Sequence, residues 1–134
     1  MALGEAVTRL AIGIGCRRLC PAAAVLDVVN EACAGLDLTG AGLFTIEAKR
    51  QEGGLREAAA ALGLPLAFLP ADDLATIAER VTYRSSRVAD AVGVPSVAEA
   101  AALAGAGPGS RLIVPRLAHA AATCAVAAAS EGAR

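Results

Sequence analysis

Short apolar runs alternate along the chain with helical patterns of about ten residues, and this alternation constrains the fold more than any other feature. Four runs have the length and composition of strands, at 8–14, 43–46, 66–69 and 111–114. Helical patterns lie at 21–34, 55–62, 70–81 and 96–104, with a weaker one at 86–92. Strands that alternate with helices form βαβ units, so the sequence predicts a three-layer α/β/α domain whose sheet has about five strands, mostly parallel.

Two helix ends and one ambiguous segment complete the prediction. Gly63 is placed to close the second helix, and Ser96 with Glu99 forms a capping box ahead of the last one. The segment 122–127 stays open between strand and helix. Alanine favours a helix there, whereas Thr123 and its Cys and Val neighbours suit a strand.

Composition indicates one packed domain over 1–134 with an unusual core. Hydrophobic residues are 56% and charged residues 19% of the 134, which excludes a disordered chain. Of these residues 35 are alanine, while aromatic residues are only 2%. Small side chains let helices approach a sheet closely, so we expect stability from many small contacts.

Charge and motif content exclude several classes of function. The net charge is −1 and aromatic residues are scarce, so we expect no nucleic-acid partner. No apolar run reaches membrane-spanning length, so we expect no association with a membrane. No basic start precedes an apolar segment, so we expect no signal peptide and a cytoplasmic location. The four cysteines are irregularly spaced, so we expect no disulfide framework, no metal site and no cofactor.

The candidate site lies at the carboxyl ends of the strands, where α/β sheets bind ligands. The first strand leads into Gly13-Ile-Gly-Cys-Arg-Arg18, which lacks the third glycine of a dinucleotide fingerprint. Its glycines can bring backbone N–H groups near a ligand, and Arg17 and Arg18 can bind carboxylate or phosphate; the alternative is two solvated arginines. The fourth strand is predicted to end at Val114-Pro-Arg116, which adds a cation.

The charged stretch after the second strand offers further candidates. It contains Glu47, Lys49, Arg50 and Glu52, a pattern that also fits a solvated loop. Glu47 or Glu52 could serve as a general base, although no nucleophile motif accompanies them. The sole histidine, His119, lies in an alanine-rich stretch that favours a packing or solvent-facing role.

Five segments, in order along the chain, resemble the CobE family, which is similar to the C-terminal domain of the cobalt-precorrin-5A hydrolase CbiG. They are Gly13-Ile-Gly-Cys-Arg-Arg18, Thr45-Ile-Glu-Ala-Lys49 with Glu52-Gly-Gly-Leu55, Ala61-Leu-Gly-Leu-Pro-Leu66, Gly93-Val-Pro-Ser-Val-Ala-Glu-Ala100 and Val114-Pro-Arg116. The resemblance implies an α/β/α domain that acts in corrin-ring synthesis. In full-length CbiG a lactone is opened and acetaldehyde leaves, an activity that a C-terminal domain alone does not carry over.

The resemblance also implies a set of site residues, matched motif by motif. The substrate-binding candidates are Gly13, Gly15, Cys16, Arg17, Arg18, Lys49, Ser96 and Arg116. A precorrin carries acetate and propionate arms around a flat apolar ring. A crevice rimmed by the four cations of this set, Arg17, Arg18, Lys49 and Arg116, suits such a ligand. Two positions depart from the family pattern: Leu19-Cys20-Pro21 follows the arginines, and Ala120-Ala121-Ala122 replaces a glycine-containing turn.

Three functions follow from these observations. The first is an accessory or carrier protein that binds a precorrin or corrin intermediate in the aerobic cobalamin pathway. The second is hydrolysis of a precorrin lactone with Glu47 or Glu52 as base, and the third is phosphate or nucleotide binding at the glycine turn. The expected partners are the corrin intermediate and other enzymes of the pathway, and an alanine-rich surface is compatible with a homo-oligomer.

Overall fold

A computed structural model describes residues 9–82 and 96–129, which form one five-stranded sheet with flanking helices. The strands are β1 (Leu10–Cys16), β2 (Gly42–Ile46), β3 (Leu66–Leu69), β4 (Arg111–His119) and β5 (Ala122–Ala128). The helices are α1 (Ala22–Ala32), α2 (Gly53–Leu62), α3 (Ala71–Thr82) and α4 (Val97–Ala106), and a 3₁₀ turn lies at Glu47–Lys49. The weak helix predicted at 86–92 lies outside the described residues.

The strand order is β3-β2-β1-β5-β4, and the sheet is mixed. β1, β2 and β3 are parallel, whereas β5 runs antiparallel to both β1 and β4. The α/β class is therefore confirmed, but the prediction of a mostly parallel sheet is wrong for β5. Only Ala120 and Ala121 separate β4 from β5, and a two-residue connection can join only antiparallel strands.

The pairing of β4 and β5 with their neighbours decides two further points: the type of the segment 122–127 and the end of the fourth strand. The ambiguous segment 122–127 is a strand, because every one of its residues pairs with β1. The prediction that the fourth strand ends at Val114-Pro-Arg116 is wrong, because pairing with β5 extends β4 to His119. A proline is tolerated inside β4 since this strand lies at the edge of the described sheet and its register is irregular there.

Helices pack on both faces of the sheet. On one face Ile12 and Leu43 belong to a buried cluster with Val25 of α1 and Leu55 of α2. On the other face Ala125 and Ala127 of β5 pack against Ala98 of α4, and α3 packs against α4 in turn. The approach on this second face is close because the contacts are made by alanine and glycine, as the composition predicts.

The helix boundaries follow the sequence signals. Gly63 ends α2 with φ of 72°, and its N–H donates to the carbonyl oxygen of Ala59. This confirms the predicted helix stop, since only glycine adopts that conformation readily. None of the helices within 9–82 and 96–129 combines the length and apolar character that crossing a membrane requires.

Candidate functional site

An open cavity of about 400 Å³ lies where the carboxyl end of β1, the first turn of α4 and the β4–β5 hairpin meet. Five of the predicted site residues line it: Gly15, Cys16, Arg17, Ser96 and Arg116. The remaining walls are mostly alanine, so the cavity is small-walled and weakly apolar. Its volume lies within the range of small-molecule sites.

A second cavity lies at the amino ends of β1 and β2 and is lined by none of the predicted site residues. It has a volume of about 330 Å³ and is lined by Arg9, Phe44 and several glycines. The first cavity is the candidate site because two of the predicted cations, Arg17 and Arg116, line it.

Arg17 and Arg116 enter the cavity from different elements. The backbone N–H of Arg17 donates to the carbonyl oxygen of Ala121 at 3.0 Å, which ties the loop after β1 to the hairpin. The N–H of Arg116 in β4 donates to a carboxylate oxygen of Glu99 at 3.0 Å. Among the described residues, no carboxylate lies within ion-pairing distance of either guanidinium, and no acidic side chain lines the cavity. The site therefore favours an anion.

Ser96 is buried at the start of α4, and its hydroxyl oxygen accepts from the N–H of Glu99 at 3.1 Å. This confirms the capping half of the predicted motif. The first turn of α4 also lines the cavity, and unpaired N–H groups at a helix start favour negative charge. Contact between Ser96 and a ligand stays a prediction.

The two motif glycines of β1 have structural tasks on the α4 face. Gly13 lies outside the cavity, because its backbone packs directly against the carbonyl oxygen of Ala98. A Cβ atom at Gly15 would lie 2.6 Å from the hydroxyl oxygen of Thr123, which donates to the carbonyl oxygen of Gly15 at 3.3 Å. The glycines therefore permit close packing here. This does not support the interpretation that they bring backbone N–H groups near a phosphate or nucleotide. Thr123 itself lines the cavity, although it is not among the site residues predicted from the sequence.

Lys49 and Arg18 are not among the residues that line the cavity. The charges of Lys49 and Glu52 act instead on the thiols of Cys16 and Cys20. Burial, and after it the neighbouring Cys20, raises the pKa of Cys16 to about 11, and Lys49 opposes this rise only in part. The Cys16 thiol is therefore protonated at neutral pH and is a poor nucleophile.

Both candidate bases are bound to neighbouring groups outside the cavity. Glu47 forms an exposed ion pair with Arg50 at 2.8 Å. Glu52 accepts from the backbone N–H of Leu19 at 2.8 Å and so holds the loop between β1 and α1. His119 lies 3.9 Å from the carboxylate of Glu31, and both side chains are exposed. The part of the chain that the structure describes contains no cluster of three or more side chains suited to a metal ion.

Comparison with known proteins shows the family of this chain. Residues 10–127 match the family model described as cobalamin synthesis G C-terminus. The chain belongs to the CobE/CbiG C-terminal family. A CobE protein of a Sinorhizobium species is 35% identical over 121 residues, which are 88% of this chain and 79% of that protein. The resemblance predicted from the five motifs is thereby confirmed.

Two solved structures of the CobE/CbiG C-terminal family share the fold. CobE, a protein from the cobalamin (vitamin B12) biosynthetic pathway, matches with a TM-score of 0.77 and 33% identity over 90% of this chain and 93% of that one. The cobalamin biosynthesis protein chiG of Agrobacterium tumefaciens matches with a TM-score of 0.68 and 36% identity over 90% and 98%. The chain is thus a cobalamin-biosynthesis protein by family.

Proposed function

We propose that this protein binds a precorrin or corrin intermediate and serves as an accessory or carrier protein of the aerobic cobalamin pathway. Family membership supports the pathway. The observation that carries the binding role is the meeting of Arg17 and Arg116 in one cavity with no carboxylate partner in the described residues. Packing of α1 and α4 on opposite faces of the sheet supports a three-layer α/β/α scaffold for this site.

The chemistry of the cavity suits one edge of a corrin. Guanidinium groups bind carboxylates through paired, charge-assisted hydrogen bonds, and a corrin intermediate presents several carboxylate arms. The alanine walls, which include Ala118 and Ala122, offer an apolar surface to the ring. A cavity of about 400 Å³ takes only part of a macrocycle. The exposed remainder is then accessible to an enzyme of the pathway, as delivery by a carrier requires.

Titration with hydrogenobyrinic acid, followed by visible absorbance, tests the proposal. The wild-type protein is expected to shift the spectrum of the ligand. Arg17→Ala and Arg116→Ala each remove one charged hydrogen-bonding group, a loss of about 1.5–3 kcal/mol, or roughly tenfold to a hundredfold in affinity.

Two exposed arginines outside the cavity provide matched controls. Arg18→Ala removes the neighbour of Arg17, and Arg111→Ala removes a residue of the same strand as Arg116. Both are expected to bind within about twofold of wild type, because neither residue lines the cavity and salt screens exposed charges. Equal losses in all four variants, or no spectral shift with wild type, would contradict the proposed site.

The same protein preparation distinguishes the carrier function from lactone hydrolysis and from nucleotide binding. Release of acetaldehyde from a precorrin-5-type substrate, at catalytic turnover by this protein alone, would replace the carrier proposal with hydrolysis. Binding of ATP or NAD more tightly than hydrogenobyrinic acid would replace it with nucleotide binding. The close packing of Gly13 against α4 does not favour nucleotide binding, and the absence of Glu47 and Glu52 from the cavity wall does not favour hydrolysis.

A further inference from the structure

β4 contains an extra residue beside the cavity. Val114 pairs with Val126 and Leu117 pairs with Cys124, so β4 advances three residues while β5 advances two. The additional residue lies in the Pro115–Arg116 pair, and Pro115 has no N–H to donate. A bulge of this kind removes a residue from the regular ladder and redirects its side chain.

Glu99 compensates for the interrupted ladder at Arg116. Its carboxylate oxygen accepts from the N–H of Arg116 at 3.0 Å, across 17 residues of sequence. The N–H of Glu99 in turn donates to the hydroxyl oxygen of Ser96. Two hydrogen bonds therefore connect the cap of α4 to the bulge of β4.

The direction of the Glu99 carboxylate is informative. In a capping box the acidic residue turns back to the N–H of the cap residue. Here the carboxylate contacts β4, and it fixes the backbone of Arg116 without forming an ion pair with the guanidinium. Arg116 lines the cavity, and its guanidinium consequently has no carboxylate partner among the described residues.

We propose that Glu99 is a positioning residue for the ligand site. Its carboxylate holds the bulge of β4 so that Arg116 presents its guanidinium to a carboxylate arm of the bound corrin. This inference rests on the proposed function, and it adds a residue that does not line the cavity.

Two variants of Glu99 separate positioning from charge. Glu99→Gln keeps an oxygen that can accept from Arg116 and is expected to bind hydrogenobyrinic acid within about twofold of wild type. Glu99→Ala removes the acceptor and is expected to lose most of the affinity that Arg116→Ala loses. The double variant, Glu99→Ala with Arg116→Ala, is expected to bind no more weakly than Arg116→Ala alone, since both changes remove one shared contribution.

Amide hydrogen exchange at Arg116 gives a readout that needs no ligand and applies to any variant that folds. The amide is expected to be protected in wild type and in Glu99→Gln, and unprotected in Glu99→Ala. Wild type that binds the corrin while Glu99→Ala binds equally well overturns the inference alone. Wild type that binds no corrin overturns the proposed function, and an unprotected Arg116 amide in wild type then overturns the positioning role as well.

Discussion

The backbone of Gly13 in β1 lies directly against the carbonyl oxygen of Ala98 in α4, and a side chain at Gly13 would overlap that oxygen. The same Cβ position is 2.6 Å from the backbone nitrogen of Ala102. Gly13→Ala is therefore expected to lower the free energy of unfolding by about 1–3 kcal/mol, because α4 must move away from the sheet. Denaturant unfolding measures the change.

Gly53→Ala is the matched control for Gly13. Gly53 begins α2, and a Cβ atom there meets nothing within 4 Å. Alanine at such a position reduces the entropy of the unfolded chain, so stability is expected to stay equal or to rise by up to about 1 kcal/mol. If both glycine variants lose the same stability, close packing does not explain Gly13.

Thr45 is fully buried, and its hydroxyl donates to the carbonyl oxygen of Ile14 at 2.8 Å. Thr45→Val leaves that acceptor without this donor and is expected to lower the free energy of unfolding by about 1–3 kcal/mol. Thr45→Ser keeps the donor and loses a methyl group, for which we expect about 1 kcal/mol. A serine variant that is less stable than the valine variant in urea would argue against the hydrogen bond.

Ala120 in the β4–β5 turn has φ of 55°, a left-handed conformation in which alanine is strained. Ala120→Gly relieves this strain and is expected to raise the free energy of unfolding by up to about 1 kcal/mol. Ala118→Gly removes the same methyl group from an extended strand and is expected to lower it by about 0.5–1 kcal/mol. Thermal unfolding of the pair is the measurement, and the reverse order of stability would refute the role of φ.

Burial raises the pKa of Cys33 from 9.0 to about 11, and that of Cys124 in the same direction. Between pH 9 and pH 11 the unfolded chain releases thiol protons that the folded protein retains. Stability from these groups is therefore complete below pH 9 and falls as the pH rises towards 11. Denaturant unfolding at several pH values should give a shallower decline for Cys33→Ala than for wild type, and identical declines would show that Cys33 does not contribute.

Variants of Glu52 distinguish a structural role of its carboxylate from a catalytic one. It accepts from the N–H of Leu19, which has φ of 59° and leads from Arg17 into α1. Glu52→Gln keeps an acceptor and is expected to preserve stability and corrin affinity, whereas Glu52→Ala should loosen the loop and weaken binding several-fold. Acetaldehyde release by wild type that disappears in Glu52→Gln would instead identify Glu52 as a base.

The parallel part of the fold could be predicted because its signals are local. Pro21 and Gly63 mark helix ends within a residue or two, and 66–69 is bounded as a strand on both sides. The hairpin part could not be predicted in the same way. In 122–127 alanine favours a helix while Thr, Cys and Val suit a strand, so only pairing with β1 makes this segment a strand.

The candidate site was predictable where it depends on strand ends and not where it depends on register. Arg17 was predicted at the site because α/β sheets bind ligands at the carboxyl ends of their strands, whereas Ser96 was implied only by the family resemblance. Glu99 and Thr123 act across 17 and 108 residues, through a bulge and an antiparallel pairing that no local pattern encodes. Lys49 is the last residue of a 3₁₀ turn, and its position near Cys16 depends on the geometry of that turn.

The irregular register of β4 also affects how molecules of this protein meet one another in concentrated solution. β4 is the outer strand of the described sheet, yet Pro115 withholds an amide hydrogen and two register shifts break the spacing of the remaining donors and acceptors. An approaching strand finds no continuous row to extend. The proline and the register shifts beside the candidate cavity thereby discourage fibrous self-association through β4.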